Sequence, residues 1–191
     1  MSGCDITLVD LPPEGLALAA QRAKDDQLPG VCRVTVADGR ALPYGNKSFH
    51  AITHSDVLCC LPGKQEVLAE CRRGICDGGR IIFTVITVAP DLSEEDHARA
   101  IELGPPYIAS ETDYEEMLNM TGWTTIEKIN QTAEFLHSAR IFLRVDQANR
   151  VELDSVLGEE DCQLRLEDDA NQVDAISQGL LCRDIYELRA P

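Results

Sequence analysis

The sequence predicts an α/β fold in which a mostly parallel sheet carries helices on both faces, and three observations lead there. Four short apolar, β-branched runs, "ITLVD", "VCRVTVA", "FHAITHS" and "RIIFTVITV", are spread over residues 6–88. Helical stripes and breakers separate them at the spacing that right-handed crossovers need. Two of the runs end on a carboxylate, Asp10 and Asp38, where an open sheet of this kind receives ligands.

Each element follows from its residues. Residues 6–10 form an apolar run with Thr7 and Val9, as in a buried parallel strand. Pro12-Pro13 suits a helix start, and Leu16, Ala19, Ala20 and Ala23 recur with helical spacing. Pro29-Gly30 breaks the chain before the alternating run at 31–37, and 49–55 is a third strand. After Pro62-Gly63, the positions Val67, Leu68, Cys71 and Ile75 make one stripe, which Gly78-Gly79 is expected to stop. Residues 80–88 are the most β-branched stretch and predict a central strand.

The second half is less regular. Residues 89–110 carry three prolines and an acidic run, and read as a surface insertion extending to about 122. A short helix in "TDYEEMLNMTG" closes at Gly122, and a strand begins near Trp123. Phe135, Leu136, Ala139, Phe142 and Leu143 mark an amphipathic helix, a polar helical stretch runs to about Gln178, and "LLCRDIYELRA" predicts the last strand. There is no internal repeat and no low-complexity linker, so residues 1–191 are read as one domain.

Composition narrows the classes. Thirty-three acids against 17 basic residues give a net charge of −16, with no basic cluster, which disfavours nucleic acid as a partner. Residues 151–170 hold eight acids and one basic residue, Arg165, the pattern of a solvated helical face. No apolar run approaches the ~20 residues that span a bilayer, and no signal peptide is recognisable. The eight cysteines are then read as reduced thiols of a cytoplasmic protein, and their spacing lacks the paired C-x2-C of a zinc site, so no metal is expected.

Three strand ends carry candidate chemistry. Asp10, with Leu11 beside it, is either a bidentate acceptor for two ribose hydroxyls or a helix cap. Asp38 is either an acceptor for an exocyclic amine, with Gly39 letting the backbone approach a flat ring, or part of an Asp-Gly turn. The third end is "THSD" at 53–56.

Taken together, Asp10, then Asp38 with Leu42-Pro43-Tyr44, Ser48-Phe49-His50 and the Arg73 to Gly79 turn closely resemble the class I S-adenosylmethionine-dependent methyltransferases that act on small molecules. The resemblance implies a Rossmann-like sheet, S-adenosylmethionine as cofactor and a small-molecule methyl acceptor. It also implies that Asp10 holds the ribose, Asp38 meets the adenine amine and the Gly39-Arg40 backbone lies along the ring. His54 and Ser55 would border the methionine arm and the methyl. His54 is the candidate general base, with a packed strand-end histidine as the competing reading. Tyr107 and Glu111, with His97 and Asp113 nearby, are the substrate-side candidates. His50, Cys60 and Asp77 depart from the family's usual residues.

The largest departure is at the start. The family's first strand and its "D-x-G-x-G-x-G" loop precede the acid-ended strand, yet nine residues precede Asp10 and the chain has no G-x-G. The expectation is an N-terminally incomplete domain, a fragment, whose sheet lacks its middle strand. The flanking strands would then stand ~10 Å apart unless they close up or a second chain fills the space. Two other readings stay open: a nicotinamide dehydrogenase, which also ends its second strand on a ribose-binding acid, and a non-catalytic, partner-binding remnant that has lost its cofactor.

Overall fold

The computed structural model describes residues 3–27, 29–110 and 112–191. Strand β1 (Ile6–Asp10) leads through helix α1 (Pro13–Asp25) to β2 (Cys32–Val36), and the two strands pair in parallel, Ile6 opposite Cys32 and Asp10 opposite Val36. A second sheet takes β3 (Phe49–Ser55), β4 (Ile75–Val88), β5 (Thr124–Asn130) and β6 (Leu181–Arg189) in the order β3-β4-β6-β5. β3 and β4 are parallel, whereas β6 runs antiparallel to both of its neighbours. The sheet is therefore mixed, with its parallel crossovers in the first half.

Among the described residues no hydrogen-bonded ladder joins β1 or β2 to the four-stranded sheet. The two sheets have not closed up into one. This split falls between the strand ending in Asp10 and the strand ending near His54, where the resemblance led to the expectation of a further strand.

Helix α2 (Lys64–Gly74) ends where β4 begins, at the fully buried Ile75. This corrects the expectation that Gly78-Gly79 stop the helix. The glycine pair lies inside β4, where the register slips between Phe49–Ile75 and Ala51–Arg80. Gly78 has φ +74, and a Cβ on Gly79 would come within 2.7–2.9 Å of Ile75, Cys76 O and His50 O. The pair forms a bulge in which the left-handed backbone of Gly78 and the lack of space at Gly79 both favour glycine.

Helices α3 (Glu94–Leu103) and α4 (Tyr114–Met120) occupy the stretch read as a surface insertion, yet Ala100, Ile108, Tyr114, Met117 and Leu118 are all buried in the core. Helices α5 (Thr132–Ala148), α6 (Arg150–Leu157) and α7 (Glu159–Ser177) complete the fold. Phe135 and Ala139 of the predicted α5 stripe are buried, but Phe142 is 62% exposed, so the stripe turns out to solvent past the sheet.

The two faces of the larger sheet are distinct. On one, His54, Phe83 and Tyr186 are register partners on β3, β4 and β6, and their rings stack at 4.9 and 5.1 Å. Tyr114 of α4 meets Tyr186 there, and Trp123 Nε1 donates to Leu68 O of α2. On the other, Phe135 of α5 lies under Arg183 of β6. Helices thus cover both faces, except at the β3 margin, where Thr53 and Ile82 are exposed.

Candidate cofactor and substrate site

The carboxyl ends of β1, β2 and β3 bear the predicted residues. Asp10 closes β1 with its carboxylate exposed. Its Oδ1 accepts from Leu11 N at 2.8 Å, and Oδ2 takes no hydrogen bond among the described residues. It caps no helix: α1 starts from Pro12, without a side-chain cap. Leu11 is 59% exposed beside it, and Ala37 N donates to Asp10 O at 3.1 Å, fastening the two strand ends together.

Asp38 follows at once and is held by its own loop. Arg40 Nε donates to both carboxylate oxygens at 3.0 Å and Nη2 to Oδ2 at 2.6 Å, while Arg40 N donates to Oδ1. The Arg40 side chain and amide hold the Asp38 carboxyl down at about 2, so it is ionised at neutral pH. Each oxygen already accepts two of these bonds, so a ligand amine at Asp38 would share or displace a contact to Arg40. Gly39, between them, does not have positive φ, and a Cβ there would meet only Val67 of α2, at 3.7 Å. Neither backbone conformation nor packing within the chain demands a glycine at this position.

Tyr107 belongs to the same cluster. Arg40's pKa is raised chiefly by its hydrogen bonds to Asp38, and the Glu66 and Tyr107 side chains add to the effect. Gly63 opens α2 at φ +75, with Arg40 Cδ 3.0 Å from where a Cβ would stand. Tyr107 is held at its backbone: its N donates to Cys59 O, and its carbonyl accepts from the buried Lys64 Nζ at 2.6 Å, as does Ala109 O. The phenol itself is 45% exposed. Glu111 lies outside the described residues. Asp113 caps α4, its Oδ1 accepting from Glu116 N, so its carboxylate already has a structural role.

His54 and Ser55 end β3 and point to opposite faces. The His54 ring enters the aromatic stack; neither nitrogen has a hydrogen-bond partner among the described residues. Burial pushes its pKa down to about 4, against the opposing pull of the Asp56 carboxylate. Ser55 Oγ lies 2.9 Å from Thr84 Oγ1 and within 3.2 Å of Asp56 Oδ2.

Here the structure adds residues that the sequence reading missed. Arg183 Nε donates to Asp56 Oδ1 at 3.1 Å, and Nη2 donates to Asp56 Oδ2, Ser55 Oγ and Thr84 Oγ1 at 2.7–3.0 Å. Asp56 was visible as the end of "THSD", but Arg183 is 127 residues away and no local pattern pairs them.

The structure thus gathers Asp10, Leu11, Asp38, Gly39 and Arg40 on adjoining strand ends, with the Tyr107 phenol within electrostatic reach of Arg40. It puts Ser55 at the neighbouring sheet's corresponding end and His54 in the packed layer. This donor set fits an adenosine: an exposed carboxylate for a diol, then an ionised carboxylate beside backbone without a Cβ for a planar amine-bearing ring. The buried thiols Cys59 and Cys71 are raised by burial to about 12 and are not nucleophiles at neutral pH. Among the described residues no three His, Cys, Asp or Glu side chains are grouped to hold a metal, and no helix is long and apolar enough to cross a membrane.

Part of the sequence and most of the fold have counterparts among known proteins. Residues 1–83 match the family model of the methyltransferase domain. No curated protein sequence matches the chain. Among solved structures, a Galdieria sulphuraria protein provisionally assigned as a sarcosine dimethylglycine methyltransferase superposes with a TM-score of 0.85 at 14% identity over 97% of this chain and 68% of its own. Haemonchus contortus phosphoethanolamine N-methyltransferase 2, solved with phosphomonomethylethanolamine and S-adenosylhomocysteine, superposes at 0.81 with 16% identity, over 99% of this chain and 44% of its own. The [4+2]-cyclase SpnF superposes at 0.78 with 16% identity, over 98% and 66%. The 191 residues therefore span between about half and two-thirds of the length of these proteins. Residues 1–83 thus resemble a methyltransferase domain, and over nearly all of its length the chain shares the fold of solved structures that include S-adenosylmethionine-dependent methyltransferases.

Proposed function

We propose that the chain binds S-adenosylmethionine across the carboxyl ends of β1, β2 and β3 and serves methyl transfer to a small-molecule acceptor. The observation that carries this reading is the pair of carboxylates on adjoining strand ends, Asp10 with an unengaged oxygen and Asp38 beside the open Gly39 backbone. Asp10, flanked by Leu11, would hold the ribose; Asp38 would take the adenine amine, with Gly39 and Arg40 lining the ring. Ser55 would border the methionine arm. We take 1–191 as one domain with residues 89–122 on its substrate side, where Tyr107 and Glu111 meet the acceptor.

When bound, the cofactor supplies a methyl on a sulfonium, a leaving group already activated for in-line displacement. The chain's own part is alignment and exclusion of water, effects worth ~7–11 kcal/mol where reactants are well oriented. A general base is optional, and His54, neutral at pH 7 and low in basicity, would accept a proton only weakly.

A second reading, a non-catalytic or impaired remnant, draws on the split between the two sheets, because cofactor spanning them has no continuous ladder beneath it. Kinship of fold with a [4+2]-cyclase also keeps fold and methyl transfer separate. Thermal unfolding with and without S-adenosylhomocysteine decides between the two. At a hundredfold excess over Kd, binding adds ~2.7 kcal/mol, or roughly 5–11 °C for a chain of this size. A shift of that order, lost in Asp10→Ala, supports the methyltransferase reading. A cooperative transition without a shift supports the remnant.

A further inference from the structure

The turn that follows β3 is held in an unusual state. Asp56 has φ +54, a left-handed backbone that Asp tolerates better than most residues but at a cost. It sits at the ligand-facing end of the strand, immediately after Ser55. Such a conformation persists when its surroundings determine it, and here they do so from another strand. Arg183, on β6, reaches past β4 to grip both Asp56 oxygens, Ser55 Oγ and Thr84 Oγ1. Asp56 N donates to Thr84 O at 2.9 Å, completing the grip on the turn.

Arg183 is itself fixed. Its guanidinium carbon lies 5.4 Å from the Phe135 ring centroid, its amide donates to Thr132 Oγ1, and its carbonyl accepts from Gln131 N at 2.7 Å. The Arg183 and Asp56 side chains are only 21% and 24% exposed, so water screens the pair poorly. The fork favours a guanidinium: a single ammonium nitrogen can stand where Nη2 does, but it cannot also place a second nitrogen on Asp56 Oδ1 as Nε does.

We propose that Arg183 is a positioning residue of the cofactor site, fixing Ser55 and the left-handed Asp56 so that the end of β3 presents a preformed wall to ligand. The role rests on the methyltransferase reading above, and the test separates the two. Amide hydrogen exchange and S-adenosylhomocysteine titration calorimetry are run on the unmutated chain, Arg183→Met and Arg183→Lys. In Arg183→Met, amides of residues 55–58 exchange at least about tenfold faster, while those of Phe83 and Ile81 on the neighbouring strand hold. Affinity for S-adenosylhomocysteine falls by about tenfold or more, and Arg183→Lys recovers only part of each effect. Unchanged exchange at 55–58 in Arg183→Met overturns the positioning role, whether or not any variant binds ligand. Faster exchange with unaltered affinity overturns its connection to the site. Failure of the unmutated chain to bind S-adenosylhomocysteine overturns the cofactor reading and with it the site role, leaving Arg183 a latch on the turn.

Discussion

At the scale of single residues, two positions separate function from packing. His54 has two buried ring nitrogens without partners and a ring stacked on Phe83. Its pKa is lowered from 6.5 to about 4, so below pH 6.5 the unfolded chain takes up a proton that the folded chain refuses. Stability conferred by the neutral ring is complete above about pH 6.5 and is lost as pH falls toward 4, at ~1.4 kcal/mol per unit of pKa difference. His54→Phe keeps the stack and removes both orphan nitrogens. Its unfolding temperature is expected to match or exceed that of the unmutated chain at pH 7 and to fall less between pH 6.5 and 4. A parallel fall in both proteins, followed by calorimetry across that range, would show that His54 is not the titrating group. Gly39 poses the complementary case. A Cβ there has only an ordinary contact with Val67, so Gly39→Ala is expected to leave the unfolding temperature within about a degree or two, as substitutions without a strain or packing mechanism do. If the backbone lies along an adenine ring, the same methyl intrudes on the ligand and weakens S-adenosylhomocysteine binding by at least about tenfold. Retained affinity would place the ring elsewhere.

At the scale of elements, what could be read in the sequence follows the range of the forces involved. β1, β2, β3 and the later part of β4 were legible because period-two patterning and β-branching are local, and β3 matches the predicted 49–55 end to end. The start of β4 was not: a glycine pair after a helical stripe reads as a stop, and only pairing with β3 turns it into a bulge. Asp10 and Asp38 were visible because a strand end followed by a loop is written in neighbouring residues. The Asp56–Arg183 grip was not, because the sheet order, not the sequence, brings them together. The same holds for the strap from α2 to the 105–109 segment. Lys64 Nζ donates to Tyr107 O and Ala109 O at 2.6 Å, and burial pulls its pKa below the usual lysine value. Lys64→Met keeps the apolar stem and strands two carbonyls. The expected cost is roughly 1–3 kcal/mol, less whatever is regained by no longer desolvating an ammonium. Limited proteolysis should reveal it as faster cleavage between residues 104 and 113, with the β4–β6 core still resistant. An unchanged cleavage pattern would mean that the Cys59–Tyr107 hydrogen bond and Ile108 packing hold the segment without it.

At the scale of the whole molecule, the division of the sheet sets the stability map. Every residue of the buried core cluster lies between Leu58 and Ala190, and among the described residues of the β1–α1–β2 unit only Leu16 is buried. Ile6, Val34 and Val36 stay 41–57% exposed. A two-stranded parallel pair with one helix is marginal by itself, whereas β4 and β6 are paired on both sides and packed on both faces. Amides of β1 and β2 are therefore expected to exchange through a local opening well below the global unfolding free energy, and those of β4 and β6 only through the global event. The proposed cofactor site makes a sharper demand, since Asp10, Asp38 and Gly39 belong to the small sheet and Ser55 to the large one. A ligand held by both can bind only when both are folded and apposed, so its binding free energy must appear as protection of the weaker unit. At a hundredfold excess of S-adenosylhomocysteine over Kd, exchange in β1 and β2 should slow by about a hundredfold, the factor that corresponds to ~2.7 kcal/mol of linkage. Slowing confined to residues 53–60, with β1 and β2 unaffected, would mean that the ligand rests on the large sheet alone and that Asp10 and Asp38 do not touch it.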